Sequence, residues 1–213
     1  MTKFYDLNII PQNNDLDYLN RLLQHCFKLG YSGLALSSNI SFNDFNIQRN
    51  KIIPRINIAA NTVREVKKTL KKLAEKKTLI SVYTQNNSVA NWCAESGFIK
   101  IICINLENIK KLQRSTIKLA CENNCFFELQ LHELIYNRDY PLVKKISVLS
   151  EMLNEILNRG AGLIISSGAH TIFQLRPPRD VIALIRIFEV EEEDAKKMIS
   201  DTPKRVFEEY SSL

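Results

Sequence analysis

Three features of the sequence predict a parallel α/β fold, with a (β/α) barrel favoured over an open sheet. Seven short apolar runs recur along the 213 residues, and most are continuous rather than alternating, as in strands covered on both faces. Amphipathic segments of helical period separate them. No G-x-G-x-x-G turn occurs anywhere, which disfavours an open dinucleotide-type sheet. The length is short for eight full repeats, so the expectation is a trimmed barrel with one strand missing or irregular, in a single domain spanning residues 1–213.

The first strand is expected at Phe4–Ile10. Asp15–Leu29 follows as a helix, with Leu16, Leu19, Leu22, Leu23 and Cys26 on one side and Gly30 stopping it. Gly33–Ser37 is the second strand and Arg55–Ala60 the third. Thr62 then caps a helix, with Glu65 completing a capping box. In that helix Val63, Val66, Leu70 and Leu73 recur at helical spacing. Arg64, Lys68 and Lys72 form an i, i+4, i+8 row on another face, with Lys67 and Lys71 beside it. Leu79–Tyr83 is the fourth strand, Asn87–Ser96 a helix ended by Gly97, and Ile99–Ile104 the fifth strand. Asn108–Asn123 is helical and Cys125–Gln130 is the sixth strand. Pro141–Arg159 carries Leu142, Ile146, Leu149, Leu153 and Ile156 in phase, between an early proline and Gly160. Leu163–Ser166 is the seventh strand. Beyond it the character changes. His170–Arg176 reads as a loop with a short extended piece, and Val181–Phe188 as a very apolar helix. Glu192–Ser200 and Pro203–Tyr210 read as two short closing helices, the last capped by Thr202.

A hydrophobic fraction of 45% with 24% charged residues is ordinary globular composition and excludes a mainly disordered chain. No apolar run approaches the roughly 18 residues of a membrane span. The first six residues lack the apolar stretch of a signal peptide. Five cysteines, an odd count, argue for free thiols in a reducing compartment, so a cytoplasmic location without membrane attachment is expected. The net charge of +6 is uneven: residues 61–77 hold seven bases against two acids, and residues 189–213 hold eight acids against four bases. A basic face suggests an anionic partner, although a solvated Lys-rich helix face has the same composition.

Side chains for catalysis are scarce. The three histidines, His25, His132 and His170, form no H-x-H or H-x-x-x-H pair, and Cys121 and Cys125 lack a second ligand pair, so no metal site is expected. No G-x-S-x-G elbow occurs. Ser166-Ser167-Gly168 follows a late strand, where barrels often hold phosphate; the same small residues also serve a plain tight turn. Arg176-Pro177-Pro178-Arg179-Asp180 is the most unusual stretch. Two prolines stiffen a loop bearing two guanidinium groups, suited to bidentate phosphate contact. Pairing of Asp180 with Arg176 or Arg179 to pin the loop accounts for these residues equally well. Tyr31, Phe42 and Phe45 fit core roles better than base stacking, so any RNA recognition is expected through backbone and shape.

Leu163-Ile164-Ile165-Ser166-Ser167-Gly168-Ala169, followed by Leu175-Arg176-Pro177-Pro178-Arg179-Asp180-Val181-Ile182-Ala183-Leu184, resembles the C-terminal signature of the thirty-kilodalton protein subunit family of ribonuclease P, known in archaea as protein component 3. Tyr5-Asp6-Leu7-Asn8-Ile9, Leu29-Gly30-Tyr31-Ser32, Pro54-Arg55, and Asp194 to Ser200 followed by Pro203 are also similar. The likeness spans the chain, and 163–184 is its specific part. One departure is visible: many members have a glycine after the Val181–Phe188 helix, where this chain reads Phe188-Glu189-Val190.

The resemblance implies a trimmed TIM-like barrel of the polymerase and histidinol phosphatase type, with extra C-terminal helices. Those relatives bind metal through an H-x-H near the first strand, where this chain reads Asp6-Leu7-Asn8. The implied function is that of a protein subunit of ribonuclease P, the RNA-based endonuclease that removes the 5′ leader from precursor tRNA. Catalysis and magnesium then belong to the RNA, and the protein needs no cofactor of its own. The implied partners are ribonuclease P RNA, precursor tRNA and protein component 2 directly. Components 1 and 4 and an L7Ae-type protein complete the holoenzyme. Arg176, Arg179, Asp180 and Lys196 are implied at RNA or partner contacts, joined by Ser166, Ser167, Lys68, Lys71 and Lys72 from the residue chemistry above. The alternative is a free-standing barrel enzyme acting on a phosphorylated small molecule, with Asp6 and Glu128 as the strand-borne carboxylates.

Overall fold

Each of the seven apolar runs forms a strand. The computed structural model describes residues 2–37, 49–73, 78–104, 112–136 and 142–211, without the side chains of 49 and 142–145. The strands are β1 (Phe4–Ile9), β2 (Tyr31–Leu36), β3 (Ile52–Ala59), β4 (Leu79–Tyr83), β5 (Ile101–Cys103), β6 (Phe126–Gln130) and β7 (Leu163–Ser166). The helices are α1 (Leu16–Lys28), α2 (Val63–Leu73), α3 (Asn87–Glu95), α4 (Arg114–Glu122), α5 (Leu131–Tyr136), α6 (Leu142–Asn158), α7 (Pro178–Ile185), α8 (Glu192–Lys197) and α9 (Asp201–Ser211). All neighbouring strands pair in parallel, in chain order from β1 to β7.

The seam between β1 and β7 closes the barrel with only a few bonds. At its C-terminal end Ile9 bridges Ala169, and the Ile10 N–H donates to the Ala169 carbonyl at 2.9 Å. At the other end the chain between α8 and α9 is wedged into the gap. There Tyr5 N–H donates to Ile199 O at 2.9 Å and Ile165 N–H to Met198 O at 3.1 Å. Two consecutive carbonyls thus satisfy backbone donors that an eighth strand would otherwise meet.

The core has an outer and an inner layer. Outside, Ile58, Val82, Ile102, Phe127 and Ile165 pack against Val66, Val89, Ile117 and Leu153 from the helices. The α1 side is covered by Leu22, Leu23 and Cys26 against Ile9, Leu34 and Leu36. Inside, Leu7, Ala35, Ile53, Leu79, Ile101 and Phe126 fill the N-terminal half, and Val206 and Phe207 of α9 stopper that end. The Tyr5 and Phe207 rings meet at 5.2 Å. Gly33 is required beneath them, because a Cβ there would lie 2.6 Å from the Tyr5 ring and 2.9 Å from the Phe207 ring.

Local chemistry sets the boundaries. Asp15 caps α1 by accepting from Tyr18 N–H at 2.9 Å. The expected Thr62–Glu65 box is present: Glu65 N–H donates to Thr62 Oγ1 at 3.3 Å, and Thr62 N–H to Glu65 Oε2 at 3.2 Å. α7 starts at Pro178, three residues earlier than expected, because proline is well suited to a first helical turn. α9 also starts early. Ser200 O accepts from Lys204 N–H at 3.0 Å, so Thr202 lies inside the helix instead of capping it. The expected extended piece after β7 is a 3-10 turn, Ile172–Gln174. The short α5 was not anticipated, since six residues give too little periodicity to register against the strand they continue. The start of the helix expected from Asn108 lies partly outside the described residues, as do Phe42, Phe45, Lys76, Lys77 and Pro141.

Candidate functional site

The C-terminal half of the barrel interior is polar. Arg55 on β3 and Glu128 on β6 form a two-pronged ion pair, with Nη1–Oε1 at 2.6 Å and Nη2–Oε2 at 2.5 Å. Arg55 Nη1 also donates to Leu7 O at 2.5 Å, and Nε to Asn57 Oδ1 at 2.7 Å. Ser166 Oγ donates to Glu128 Oε1 at 2.6 Å, and Ser81 Oγ to Asn57 Oδ1 at 2.5 Å. Asn57 Nδ2 reaches Asn8 Oδ1 at 3.2 Å and Ser37 Oγ at 3.1 Å. Gln130 donates to the Tyr83 hydroxyl above this layer. Burial would push the Glu128 carboxyl up, but the Arg55 guanidinium and the Ser166 hydroxyl hold it below its usual range. The centre of the barrel is therefore a satisfied network in which the one carboxylate is already neutralised.

Asp6 sits apart from it, in the β1–β7 seam. Its Oδ1 accepts from Ser167 N–H at 3.1 Å and Asn8 N–H at 3.2 Å, while buried Oδ2 has no hydrogen-bond partner among the described residues. Burial raises this carboxyl to about 6, against the lowering effect of those hydrogen bonds. Among the described residues no group of three His, Cys, Asp or Glu side chains converges as a metal site.

Ser166 and Ser167 are both buried and engaged inside the fold. Ser167 Oγ accepts from Ala169 N–H at 3.1 Å and lies 3.5 Å from Asn8 O. Gly168, at φ +59°, brings the turn against Gln130, whose Oε1 a Cβ would meet at 2.8 Å. The Ser-Ser-Gly turn thus knits β7 to β1.

Arg176 is half-buried, and its Nη1 donates to the carbonyls of Phe173 and Leu175, both at 2.8 Å. Arg179 is exposed and lies 3.6 Å from Asp180. Lys196 is exposed on α8. Lys68, Lys71 and Lys72 are exposed together on α2, with Arg64 on the same helix, whereas Lys67 lies 5.3 Å over the Trp92 ring. The structure therefore separates two groups of expected contact residues: a lysine face on α2, and arginines on the segment entering α7.

Sequence reasoning missed the Arg55 network and the ring cluster near Phe173. A signal for the first was present: Arg55 and Glu128 are charges set inside apolar strand runs, where only a paired charge is tolerated.

Known proteins resemble the whole chain. A family model described as RNase P subunit p30 matches residues 3–212. Ribonuclease P protein component 3 of Methanosarcina barkeri is 26% identical over 219 residues, an alignment covering 96% of this chain and 88% of that protein. The protein of the same name from Methanothermobacter thermautotrophicus is 25% identical, covering 98% and 90%. Among solved structures, a chain of the cryo-EM structure of archaeal Ribonuclease P with mature tRNA superposes with a TM-score of 0.79 at 14% identity, covering 97% of this chain and 92% of that one. A prolidase complexed with N-methylphosphonate-L-proline reaches 0.70 at 10% identity, covering 98% and 75%. At such identities both superpositions speak to the fold, a TIM-like barrel.

Proposed function

Because this chain belongs to the RNase P subunit p30 family, we propose that it is a protein subunit of ribonuclease P and supports an RNA that removes the 5′ leader from precursor tRNA. The observation that carries this reading is the end-to-end match to that family, over residues 3–212. Two physical features support it. The α2 face presents Arg64, Lys68, Lys71 and Lys72 to solvent, a density of positive charge suited to a phosphate backbone. The barrel centre, where related folds place their chemistry, is filled by the Arg55–Glu128 pair.

In this reading catalysis and its magnesium reside on the RNA, and the protein acts in the cytoplasm without a cofactor. Protein component 2 is its direct partner; components 1 and 4 and an L7Ae-type protein share the holoenzyme. Lys68, Lys71 and Lys72 contact RNA, and Arg176, Arg179, Asp180 and Lys196 line RNA or partner surfaces. Ser166 and Ser167 contribute from inside the fold, Ser166 by bonding Glu128 and Ser167 by holding the seam to β1. The small-molecule enzyme reading lacks support: Glu128 is neutralised by Arg55, and the Ser167 hydroxyl is occupied internally.

The test is purification of the native protein followed by assay of precursor tRNA cleavage, with and without nuclease digestion of bound RNA. Activity that co-purifies and is lost with the RNA is expected. Activity surviving digestion would move the chemistry to the protein, and absence of both RNA and cleavage would defeat the reading.

A further inference from the structure

The loop after β7 is held more firmly than a connection of its length needs. His170 O accepts from Gln12 N–H at 3.2 Å and from the Tyr18 hydroxyl at 2.8 Å. Gln174 Oε1 accepts from the N–H groups of His170 at 2.6 Å and Thr171 at 3.3 Å. Arg176 ties down the Phe173 and Leu175 carbonyls, and its own carbonyl accepts from the Tyr31 hydroxyl at 3.0 Å. From α5, the Tyr136 hydroxyl donates to Phe173 O at 3.1 Å. The apex of this scaffold is the Phe173 ring, which is 79% exposed, the highest value for a large apolar side chain among the described residues.

A bare ring contributes little to folding, because apolar area stabilises only when removed from water. Fixing its backbone so thoroughly lowers instead the entropy lost when something covers the ring. Other rings lie beside it. His132 stands 5.0 Å from His170, nearly perpendicular, and 5.5 Å from Tyr136, itself 40% exposed. Burial and the facing His170 hold the His132 imidazole below the usual histidine value, which favours the uncharged ring. The charged groups on the same two segments are Arg176, Arg179, Asp180 beside Arg179, and Glu133 on α5.

We propose that Phe173, with Tyr136 and the His132–His170 pair next to it, is a stacking platform for unpaired bases of RNA, with Arg176 as the positioning residue that fixes it. This rests on the ribonuclease P reading above. The size of the feature favours a base over a protein face. A stable protein interface buries about 800 Å² on each partner around an apolar centre, whereas here one ring is flanked by polar-edged rings. Every base offers a π-face, and aromatic and histidine rings are the side chains on which unstacked bases settle. The expectation drawn from sequence, of recognition by backbone and shape alone, is thereby extended to bases.

The test uses Phe173→Ala, Phe173→Leu and Phe173→Trp in the protein assembled with its protein partner, titrated with ribonuclease P RNA and with precursor tRNA. Phe173 is exposed, so circular dichroism should be unchanged in all three. Stacking predicts that Ala and Leu weaken binding of one of these RNAs roughly 5- to 100-fold while Trp restores it. Wild-type affinity for both RNAs in the Ala and Leu variants overturns the platform and leaves the subunit assignment standing. Loss of co-elution with the protein partner, with RNA affinity intact in the assembled fraction, overturns it in favour of a protein contact. If the wild-type assembly itself neither binds these RNAs nor promotes cleavage, the subunit assignment fails first.

Discussion

Arg55 and Glu128 face each other across the barrel, from β3 and β6, as a bidentate ion pair with both side chains wholly out of water. Desolvating two such charges is costly, and their attraction offsets it only because the remaining groups are also bonded. Leu7 O, Asn57 and Ser166 supply those bonds. Arg55→Met should therefore destabilise the protein by about 3–5 kcal/mol, since Glu128 is left buried and unpaired. Arg55→Met with Glu128→Leu should recover much of that loss. Urea midpoints of the two variants decide the matter; a double variant less stable than the single would refute it.

Asp6 gives a pH dependence of defined sign. Its folded value, about 6, lies above the model-peptide value of 3.8, so the folded chain holds this proton more tightly than the unfolded one. Its contribution to stability is greatest below about 4, declines as pH rises towards 6, and then levels off, by about 3 kcal/mol in the limit. Glu128, held low, acts oppositely and loses its contribution only in stronger acid. The difference in urea-derived stability between the native chain and Asp6→Asn, followed from pH 4 to 7, should change by that order. A difference independent of pH would show that Asp6 does not titrate in this window.

Glu189 follows the 3-10 turn Arg186–Phe188 with φ +59°, a left-handed conformation that costs a non-glycine residue about 1–2 kcal/mol. It lies within Phe188-Glu189-Val190, the stretch where the family resemblance leads one to expect a glycine. Glu189→Gly should raise stability by about 1 kcal/mol, less whatever the freer unfolded chain takes back. A melting temperature below that of the native chain would contradict this.

Neutralising Lys68, Lys71 and Lys72 as glutamines should weaken RNA binding and flatten its salt dependence. If all three meet phosphates, the slope of log K against log salt should fall in magnitude by about 2–3. An unchanged slope would remove the α2 face from the RNA surface. The helix itself should survive, since all three side chains are exposed and Val66 holds the buried face.

The strands were legible because each is a run of apolar residues bounded by turn formers, and β4 and β7 fall at the expected limits. Helix starts were less so. Whether Thr202 caps or enters α9 depends on where the Ser200 carbonyl points, which is a tertiary matter. At the candidate site, α2's lysines were visible as a periodic row because exposure needs no partner. The pairing of Arg55 with Glu128 was not, because the two are separated by 73 positions and joined only by barrel closure. Phe173 was invisible for the opposite reason. A single aromatic in a stretch read as a loop carries no signal of its exposure, which depends on how the fold holds that loop.

The way β1 is fastened has a consequence for synthesis on the ribosome. The first strand to emerge finds the carbonyl that its Tyr5 N–H meets in Ile199, and its ring partner in Phe207, both on the segment that follows β7. All seven strands can zip in order as they appear, but the sleeve stays unlatched and its lower opening uncorked until these late residues are released. Through most of translation the nascent chain therefore carries an open edge on β1, and it is during that interval, more than in the finished molecule, that a chaperone's cover matters.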